Sequence, residues 1–284
     1  MSYDNYLTTE RRETSSFPIM QRSGLALMRP MAKLTIGTLR GIGGRVLFLR
    51  DLWLACKEPR TYLPHIIPQL RSIGVDSVPL AVMVAAFIGS VIALQVRYQL
   101  FPGVPLSVVG LGVRQMVVLE VGPLLTGLVL AGRVGARMTA EIGTMRVTEQ
   151  IDALETLAYD PVAYLVVPRI IAAVVMLPVL TIIADFTGIL FGLFAATTLT
   201  DVPLAAFLEG LRLSFDPFQV TYSLIKATMF GGAIAGLCAY EGYTTTAGAE
   251  GVGKATAKAV VVSSVAILIL DAVTALVLAP YLQG

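Results

Sequence analysis

The sequence predicts an all-α membrane protein, and three features of its 284 residues indicate this class. Hydrophobic residues make up 56% of the chain and charged residues 14%, whereas soluble domains carry about 25% charged residues. Apolar runs recur that are long enough for a helix to cross a bilayer, which takes about 20 residues. Lys and Arg are concentrated in alternate connections between these runs. We therefore expect lipid to cover much of the folded surface.

Five runs are long and apolar enough to span a membrane. Each has at most one charged residue, and they cover residues 77–96, 115–132, 170–200, 217–240 and 259–284. The third run is too long for a simple span. We expect it either to kink near Pro178 or to continue as a short helix outside the membrane.

The distribution of basic residues predicts the orientation. Eleven Lys and Arg precede the first run, whereas the connections after the first and third runs contain Arg97 and Arg212. Because cytosolic loops carry the excess of Lys and Arg, the N-terminus is expected in the cytosol and the C-terminus outside. The basic residues in the two later loops on the cytosolic side include Arg133, Arg137, Arg146, Lys254 and Lys258.

The region before the first run divides into two parts. Residues 1–30 begin with a polar stretch that lacks the apolar core of a signal peptide, so we expect a mobile cytosolic tail. Residues 31–284 are expected to form one membrane domain, with its five spans within residues 75–284. An interfacial helix over about residues 31–60 is expected to open it, because apolar residues recur there on one helix face. An amphipathic helix packed on protein is the alternative, and the apolar face consists of Leu39, Ile42, Val46, Leu49 and Trp53.

The stretch GAEGVGKATAK has the spacing of a phosphate-binding P-loop, at Gly248, Gly253 and Lys254. A P-loop follows a buried strand and ends in Ser or Thr, which binds magnesium. Here Ala255 takes that place, and the stretch follows an apolar run typical of a membrane helix. We therefore expect this chain to bind no ATP, and its single His65 and two cysteines predict no metal site.

Four charged residues lie inside the apolar runs, and such residues are costly in a bilayer unless they are paired or face a cavity. Structural pairing between helices is one interpretation. The other is that some of them line a polar route or bind a headgroup. Glu120 and Lys226 are the preferred functional pair, because opposite charges can neutralise each other or hold a zwitterion. The other two are Asp185 and Asp271.

The loop between the second and third runs is rich in charge and predicts a helix around residues 141–157. Such a helix can dock a soluble partner, and a solvated loop helix is the alternative. Met145, Ile151, Leu154 and Leu157 are expected to form an apolar stripe. The charged residues expected at the docking surface are Glu141, Arg146, Glu149, Asp152 and Glu155.

The run GPLLTGLVLAGRVGARMTAEIGTMRVTEQIDALETLAYDP resembles the signature of the MlaE/YrbE permease family. The similarity extends over about residues 35–280. It includes FIGSVIALQ in the first span, SLIKATMF in the fourth, TTAGAEGVGKATAKAVVVSS in the last cytosolic loop and ILDAVTAL in the fifth span. The resemblance implies five spans preceded by an interfacial helix, with a coupling helix between spans two and three.

The resemblance also implies a function and partners. Members of this family are membrane subunits of ABC transporters that move phospholipids or related lipids between the bacterial inner membrane and the outer envelope. The expected partners are a second permease chain in a homodimer, cytosolic ATPase subunits that bind ATP and magnesium, a ring of MCE protein on the outer side, and in some systems a STAS-domain protein. The chain itself is expected to hold no cofactor and to bind no nucleic acid.

The same resemblance indicates residues for lipid binding. Glu120, Lys226 and Asp271 match charged positions of the family, whereas Arg97 and Tyr98 stand where some relatives have Gly-Tyr. Leu119 likewise replaces an arginine of some members, so headgroup contacts are expected to differ. The apolar wall of a lipid path is expected to include Phe87, Val91, Leu94, Leu124 and Leu128.

Two features bear on assembly and on competing functions. Gly232 and Gly236 have the small-xxx-small spacing that allows close helix approach, either within one chain or between two copies. An ion-driven secondary transporter that uses the intramembrane carboxylates, or a membrane anchor for a soluble complex, are the alternatives to a lipid permease. A secondary transporter predicts an inverted repeat, and the five unequal runs show none.

Overall fold

The computed structural model describes residues 43–57, 59–246 and 248–282. The chain divides into two compact units, Met1–Asp51 and Leu52–Gly284. Of the first unit, residues 43–51 are described and are helical. The predicted tail over residues 1–30 and the first part of the predicted interfacial helix, residues 31–42, lie outside the described residues.

Within the described residues the chain is built from eleven α-helices, and the predicted all-α class is confirmed. The first, α1, covers residues 43–55. The others are α2 (Pro59–Ile73), α3 (Val78–Gln99), α4 (Ser107–Met116), α5 (Gly122–Leu130), α6 (Ala136–Val147), α7 (Gln150–Thr156), α8 (Val167–Leu199), α9 (Leu204–Arg212), α10 (Pro217–Tyr243) and α11 (Gly248–Leu278).

Short segments of different helical geometry join some of these helices. Two 3₁₀ turns cover Val75–Ser77 and Ala279–Leu282. Three π-helical turns cover Val117–Val121, Ala131–Gly135 and Val162–Val166. A π turn accommodates one more residue per turn than an α-helix and is found often at functional sites.

Five helical segments are long and apolar enough to cross a membrane, as the sequence predicts. They cover Pro59–Gln99, Ser107–Val147, Val162–Leu199, Pro217–Tyr243 and Gly248–Leu278. In the third of them, α8 runs for 33 residues with Pro178 inside it. A helix of this length measures about 50 Å, so it extends beyond a hydrocarbon core about 30 Å thick.

The helices of the second unit pack in the order α3 on α8, α8 on α10, and α10 on α11 and α6. Glycines permit the closest of these contacts. A β-carbon added at Gly89 of α3 would overlap the carbonyl oxygen of Gly188 in α8, and one added at Gly231 of α10 would lie 2.7 Å from the carbonyl oxygen of Ala173. Small residues of this kind let membrane helices approach closely.

Gly232 and Gly236 do not take part in these close helix contacts. A β-carbon at Gly232 would meet Val174 at an ordinary 3.6 Å, and one at Gly236 would have no atom within 4 Å. The closest contact between α10 and α8 is therefore made by Gly231 and not by the predicted pair. Contact between two copies through Gly236 stays a prediction.

Candidate functional site

Three intramembrane charges that the sequence separates by up to 151 positions meet in one cluster. Lys226 of α10 lies with its Nζ 2.8 Å from Glu120 Oε2 and 2.5 Å from Asp271 Oδ1. Glu120 projects from the π turn Val117–Val121, and Asp271 belongs to α11. The predicted pairing of Glu120 with Lys226 is thus present, and Asp271 joins it as a second carboxylate.

The ammonium group of Lys226 has three oxygen neighbours in the protein. It also donates a hydrogen bond of 3.2 Å to the carbonyl oxygen of Leu119. An ammonium has three donors, and the three acceptors around it are the two carboxylates and this carbonyl. The ring of Tyr222 packs below it, with the Nζ 5.1 Å from the ring centroid, a distance that permits a cation–π contact.

The three charged side chains differ strongly in their exposure. Lys226 is 0% exposed and Asp271 11%, whereas the side chain of Glu120 is 47% exposed. Two carboxylates against one ammonium give the cluster a formal charge of −1. A ligand can therefore reach Glu120 but not Lys226. Lys226, which also contacts Asp271, fixes the position of the Glu120 carboxylate from the buried side.

A narrow apolar pocket with an enclosed volume of about 20 Å³ begins at Val121 and Gly122, which directly follow Glu120 in the chain. Its wall comes from α3, α8, α5 and the π turn before α5. Hydrocarbon is the chemistry that such a lining accepts. The residues that line it include Val84, Ala85 and Ile88 of α3, Val121, Gly122, Leu125 and Val129 around α5, and Ala184 and Gly188 of α8.

The residues expected to form an apolar wall lie elsewhere on the same helices. Leu94 and Leu124 are half-buried and do not line this pocket. Phe87 and Val91 are 70% and 55% exposed on the outside of α3. In the single chain, Ile88 and Leu125 line the pocket. That Leu94 and Leu124 line a cavity between two copies stays a prediction.

Arg97 and Tyr98, the two residues that depart from some relatives, have different environments. Arg97 donates two hydrogen bonds, 2.5 and 2.6 Å long, to the carboxylate of Asp201, which follows α8. These hydrogen bonds hold the pKa of Asp201 below its ordinary value. Tyr98 is 77% exposed. Arg97 therefore ties the end of α3 to the end of α8, and Tyr98 is the accessible one of the two.

The predicted docking helix over residues 141–157 is wrong as a single helix. It is divided between α6 and α7 at Thr148 and Glu149, and Glu149 has a left-handed backbone with φ of 59°. Of the expected apolar stripe, Ile151 is buried and Leu157 is 67% exposed. The two helices form a corner whose surface combines exposed acidic and apolar groups.

The charged residues of this corner fall into two groups. Glu141 accepts hydrogen bonds from Arg137 at 2.8 Å and Arg169 at 3.3 Å, so it is engaged within the chain. Arg146 and Asp152 form an ion pair of 2.6 Å across the break between the helices. Glu149 and Glu155 are exposed.

The P-loop spacing lies in a helix. Gly248 is the first residue of α11, and Lys254 forms an exposed ion pair of 2.6 Å with Glu250 one turn earlier. The described residues contain no strand that could precede the stretch. The glycines and lysine thus lack the strand–turn–helix geometry that holds a nucleotide phosphate.

Arg114 is a residue that the sequence reasoning missed. It lies near the end of α4, is 4% exposed, and donates to the carbonyl oxygens of Leu211, Leu213 and Ser214 at 2.9 to 3.1 Å. These are carbonyls at the C-terminal end of α9, which an arginine satisfies well. An arginine directly before the second apolar run is the signal that would have pointed to it.

Comparison with known proteins gives consistent matches. The family described as Permease MlaE matches residues 66–277. A protein of Rickettsia prowazekii (strain Madrid E) named as a probable ABC transporter permease is 44% identical over 216 residues, which are 75% of this chain and 82% of that protein. The intermembrane phospholipid transport system permease protein MlaE of Haemophilus influenzae is 31% identical over 242 residues, 85% of this chain and 93% of that protein. TRIGALACTOSYLDIACYLGLYCEROL 1, a chloroplastic protein of Arabidopsis thaliana, is 33% identical over 206 residues, 72% of this chain and 59% of that protein.

Proposed function

This chain belongs to the MlaE permease family, and from that premise we propose that it moves phospholipids or related lipids between the bacterial inner membrane and the outer envelope. It does so as the membrane-spanning subunit of an ABC transporter. The names of its relatives in Rickettsia and Haemophilus support this function. The five membrane-crossing segments support a multi-pass membrane protein.

The observation that carries the proposal is the half-exposed carboxylate of Glu120 in a chain segment whose next two residues, Val121 and Gly122, line an apolar pocket. A lipid has an apolar tail and a polar head, and a site for it needs both kinds of surface. Glu120 accepts hydrogen bonds from the headgroup and attracts its positive group, if it has one. Lys226 holds Glu120 in place, and its ammonium is completely buried behind that carboxylate.

ATP hydrolysis takes place in separate cytosolic subunits that bind ATP and magnesium. The corner formed by α6 and α7 is their docking surface, and its exposed Glu149 and Glu155 meet basic groups of the ATPase. Glu141, Arg146 and Asp152 keep the corner rigid through their ion pairs. The excess of Lys and Arg in the same loop supports a cytosolic position.

The remaining partners follow from the family. Two copies of this chain form a homodimer, a ring of MCE protein receives or delivers lipid on the outer side, and a STAS-domain protein joins the ATPase in some systems. The N-terminus is cytosolic and the C-terminus lies outside. Exposed apolar side chains on α3 and α11, such as Phe87 and Leu276, supply surface for contact with lipid or a second copy.

The experiment that tests the site is native mass spectrometry of the purified protein with its bound lipids. Wild type is expected to retain phospholipid, and Glu120→Gln to retain less, because the amide keeps the shape but loses the charge. Glu209→Gln on α9, an exposed glutamate far along the chain from the cluster, is the matched control and should bind as wild type does. Equal lipid occupancy in all three proteins would exclude Glu120 from the site, and a wild type that binds no phospholipid would contradict the function.

A further inference from the structure

Asp185 is an intramembrane carboxyl group that the lipid site does not use. It lies in α8 and faces α10, where the hydroxyl of Ser223 donates a hydrogen bond of 3.3 Å to its Oδ2. Its other oxygen lies against the backbone where α5 begins, since a β-carbon added at Gly122 would overlap Asp185 Oδ1. The group thus lies among α5, α8 and α10, with its Oδ1 buried and the residue as a whole partly exposed.

This carboxyl group has no counter-charge in the part of the chain that the structure describes. The nearest lysine along α10, Lys226, is engaged by Glu120 and Asp271. No other Lys or Arg of the described residues forms an ion pair with Asp185. An isolated ionised carboxylate is costly to bury, and a buried group in this position neutralises itself instead.

Asp185 lies in the contact between α8 and α10, which we call the seam. Further polar atoms on these two helices lack hydrogen-bond partners. Asp185 Oδ1, Thr181 Oγ1 and Gln219 Oε1 are all buried without a hydrogen bond. Thr181 is 1% exposed and Gln219 7%. Thr181 and Asp185 are four residues apart on α8, and Gln219 and Ser223 are four apart on α10, so each pair shares one helix face. Buried polar groups without protein partners are satisfied by ordered water where the site has room for it.

We propose that Asp185 is a proton-binding site and that the seam between α8 and α10 holds ordered water beside it. Asp185 is the neutral carboxylic acid, which accepts from Ser223 and donates its proton to a water shared with Thr181 or Gln219. The proton comes from the aqueous phase through these waters and returns by the same route. The proposal does not depend on lipid transport, because it rests on the surroundings of Asp185 alone.

The charges near this site are consistent with a bound proton. The π turn contributes Glu120 and α10 contributes Lys226 and Tyr222, while α11 contributes Asp271 behind the lysine. α3, which also packs on α8, has Arg97 as its one charged residue, and that residue pairs with Asp201. With Asp185 ionised these groups would carry a formal charge of −2, and a proton on Asp185 reduces it to −1.

Infrared difference spectroscopy of the full chain in lipid nanodiscs at pH 7 tests the proposal. Wild type minus Asp185→Asn is expected to show the C=O band of a protonated carboxyl group, and this band should shift in D2O. Asparagine has the shape of the neutral acid, so the variant is expected to fold. If the difference spectrum instead shows the bands of an ionised carboxylate and no acid band, the proposal is overturned.

A second measurement needs no variant. Dicyclohexylcarbodiimide, an apolar reagent that modifies protonated carboxyl groups, is added to the wild-type protein, and the modified peptide is identified by mass spectrometry. We expect the label on Asp185, with equal yield in sodium chloride and choline chloride. An unlabelled Asp185 would overturn the proposal, and protection by sodium would show that the site holds a metal cation and not a proton.

Discussion

At the scale of single residues, the cluster depends on Lys226. Its ammonium is the only positive charge in contact with Glu120 and Asp271 among the described residues, and it is completely buried. Lys226→Met leaves two carboxylates close together without compensation. Removing one partner of a buried ion pair costs about 3–5 kcal/mol, so this variant should unfold at a markedly lower temperature in detergent.

The matched control for Lys226→Met is the triple variant that also carries Glu120→Gln and Asp271→Asn. A neutral cluster has no unpaired charge, so most of the lost stability should return. The double variant Glu120→Gln with Lys226→Met still leaves Asp271 charged and should recover only in part. A Lys226→Met protein as stable as wild type would show that the ammonium does not compensate the carboxylates.

The sequence predicted the chemistry of this cluster better than its geometry. Opposite charges inside apolar runs indicated the pairing of Glu120 and Lys226, and the family resemblance added Asp271. The difference in exposure between them was not predictable, because it depends on how α10 and α11 enclose the lysine while the π turn keeps Glu120 at the surface. The free oxygens of Asp185, Thr181 and Gln219 likewise depend on the packing of α8 against α10.

At the scale of elements, the contact between α3 and α8 depends on two glycines that face each other. Gly89→Ala places a methyl group into the backbone of Gly188, and overpacking of this kind costs about 1–3 kcal/mol. Gly236→Ala on α10 is the control, because its β-carbon would have no atom of the described residues within 4 Å. Thermal unfolding in detergent should therefore separate the two variants, and equal stability would contradict the packing of α3 on α8.

The corner of α6 and α7 carries the prediction about the ATPase. Reversing the charge at Glu149 and Glu155 together should weaken co-purification with the ATPase, since both side chains are exposed and neither is needed for the ion pairs of the corner. Glu209→Lys on α9 adds the same kind of charge elsewhere and should leave co-purification unchanged. A double variant that retains the ATPase as wild type does would remove this corner from the interface.

The break within this corner shows where sequence patterns stop being informative. Thr148 and Glu149 include no Gly or Pro, which are the usual signals of an interruption. Glu149 nonetheless adopts a left-handed backbone, a conformation that is uncommon for residues other than glycine. The apolar stripe predicted a continuous helix because its spacing fits one, whereas the helix breaks after Val147 and the chain resumes as a helix that buries Ile151.

At the scale of the whole molecule, the five crossings were predictable because each depends only on the length and apolarity of a continuous run. The side-by-side order of the helices was not, since it depends on contacts such as that of Gly89 with Gly188. The lining of the apolar pocket was likewise not predictable from the sequence. A wall on α3 and α5 was predicted for a cavity between two copies, and the pocket within one chain is lined by neighbours of those side chains.

If this chain is the membrane subunit of an ATP-driven lipid transporter, its complex should move phospholipid only when ATP is hydrolysed, and a transport assay measures this. The complex of this chain with its ATPase and MCE partners is reconstituted in vesicles, and movement of a fluorescent phospholipid to acceptor vesicles is followed with and without ATP. Wild type should transport only with hydrolysable ATP. Because a hydrogen bond to a charged group contributes about 1.5–3 kcal/mol, Glu120→Gln should lower the rate by about ten- to a hundredfold while the complex stays assembled. A wild-type complex that hydrolyses ATP and moves no phospholipid, or that moves it equally well without ATP, would contradict the account.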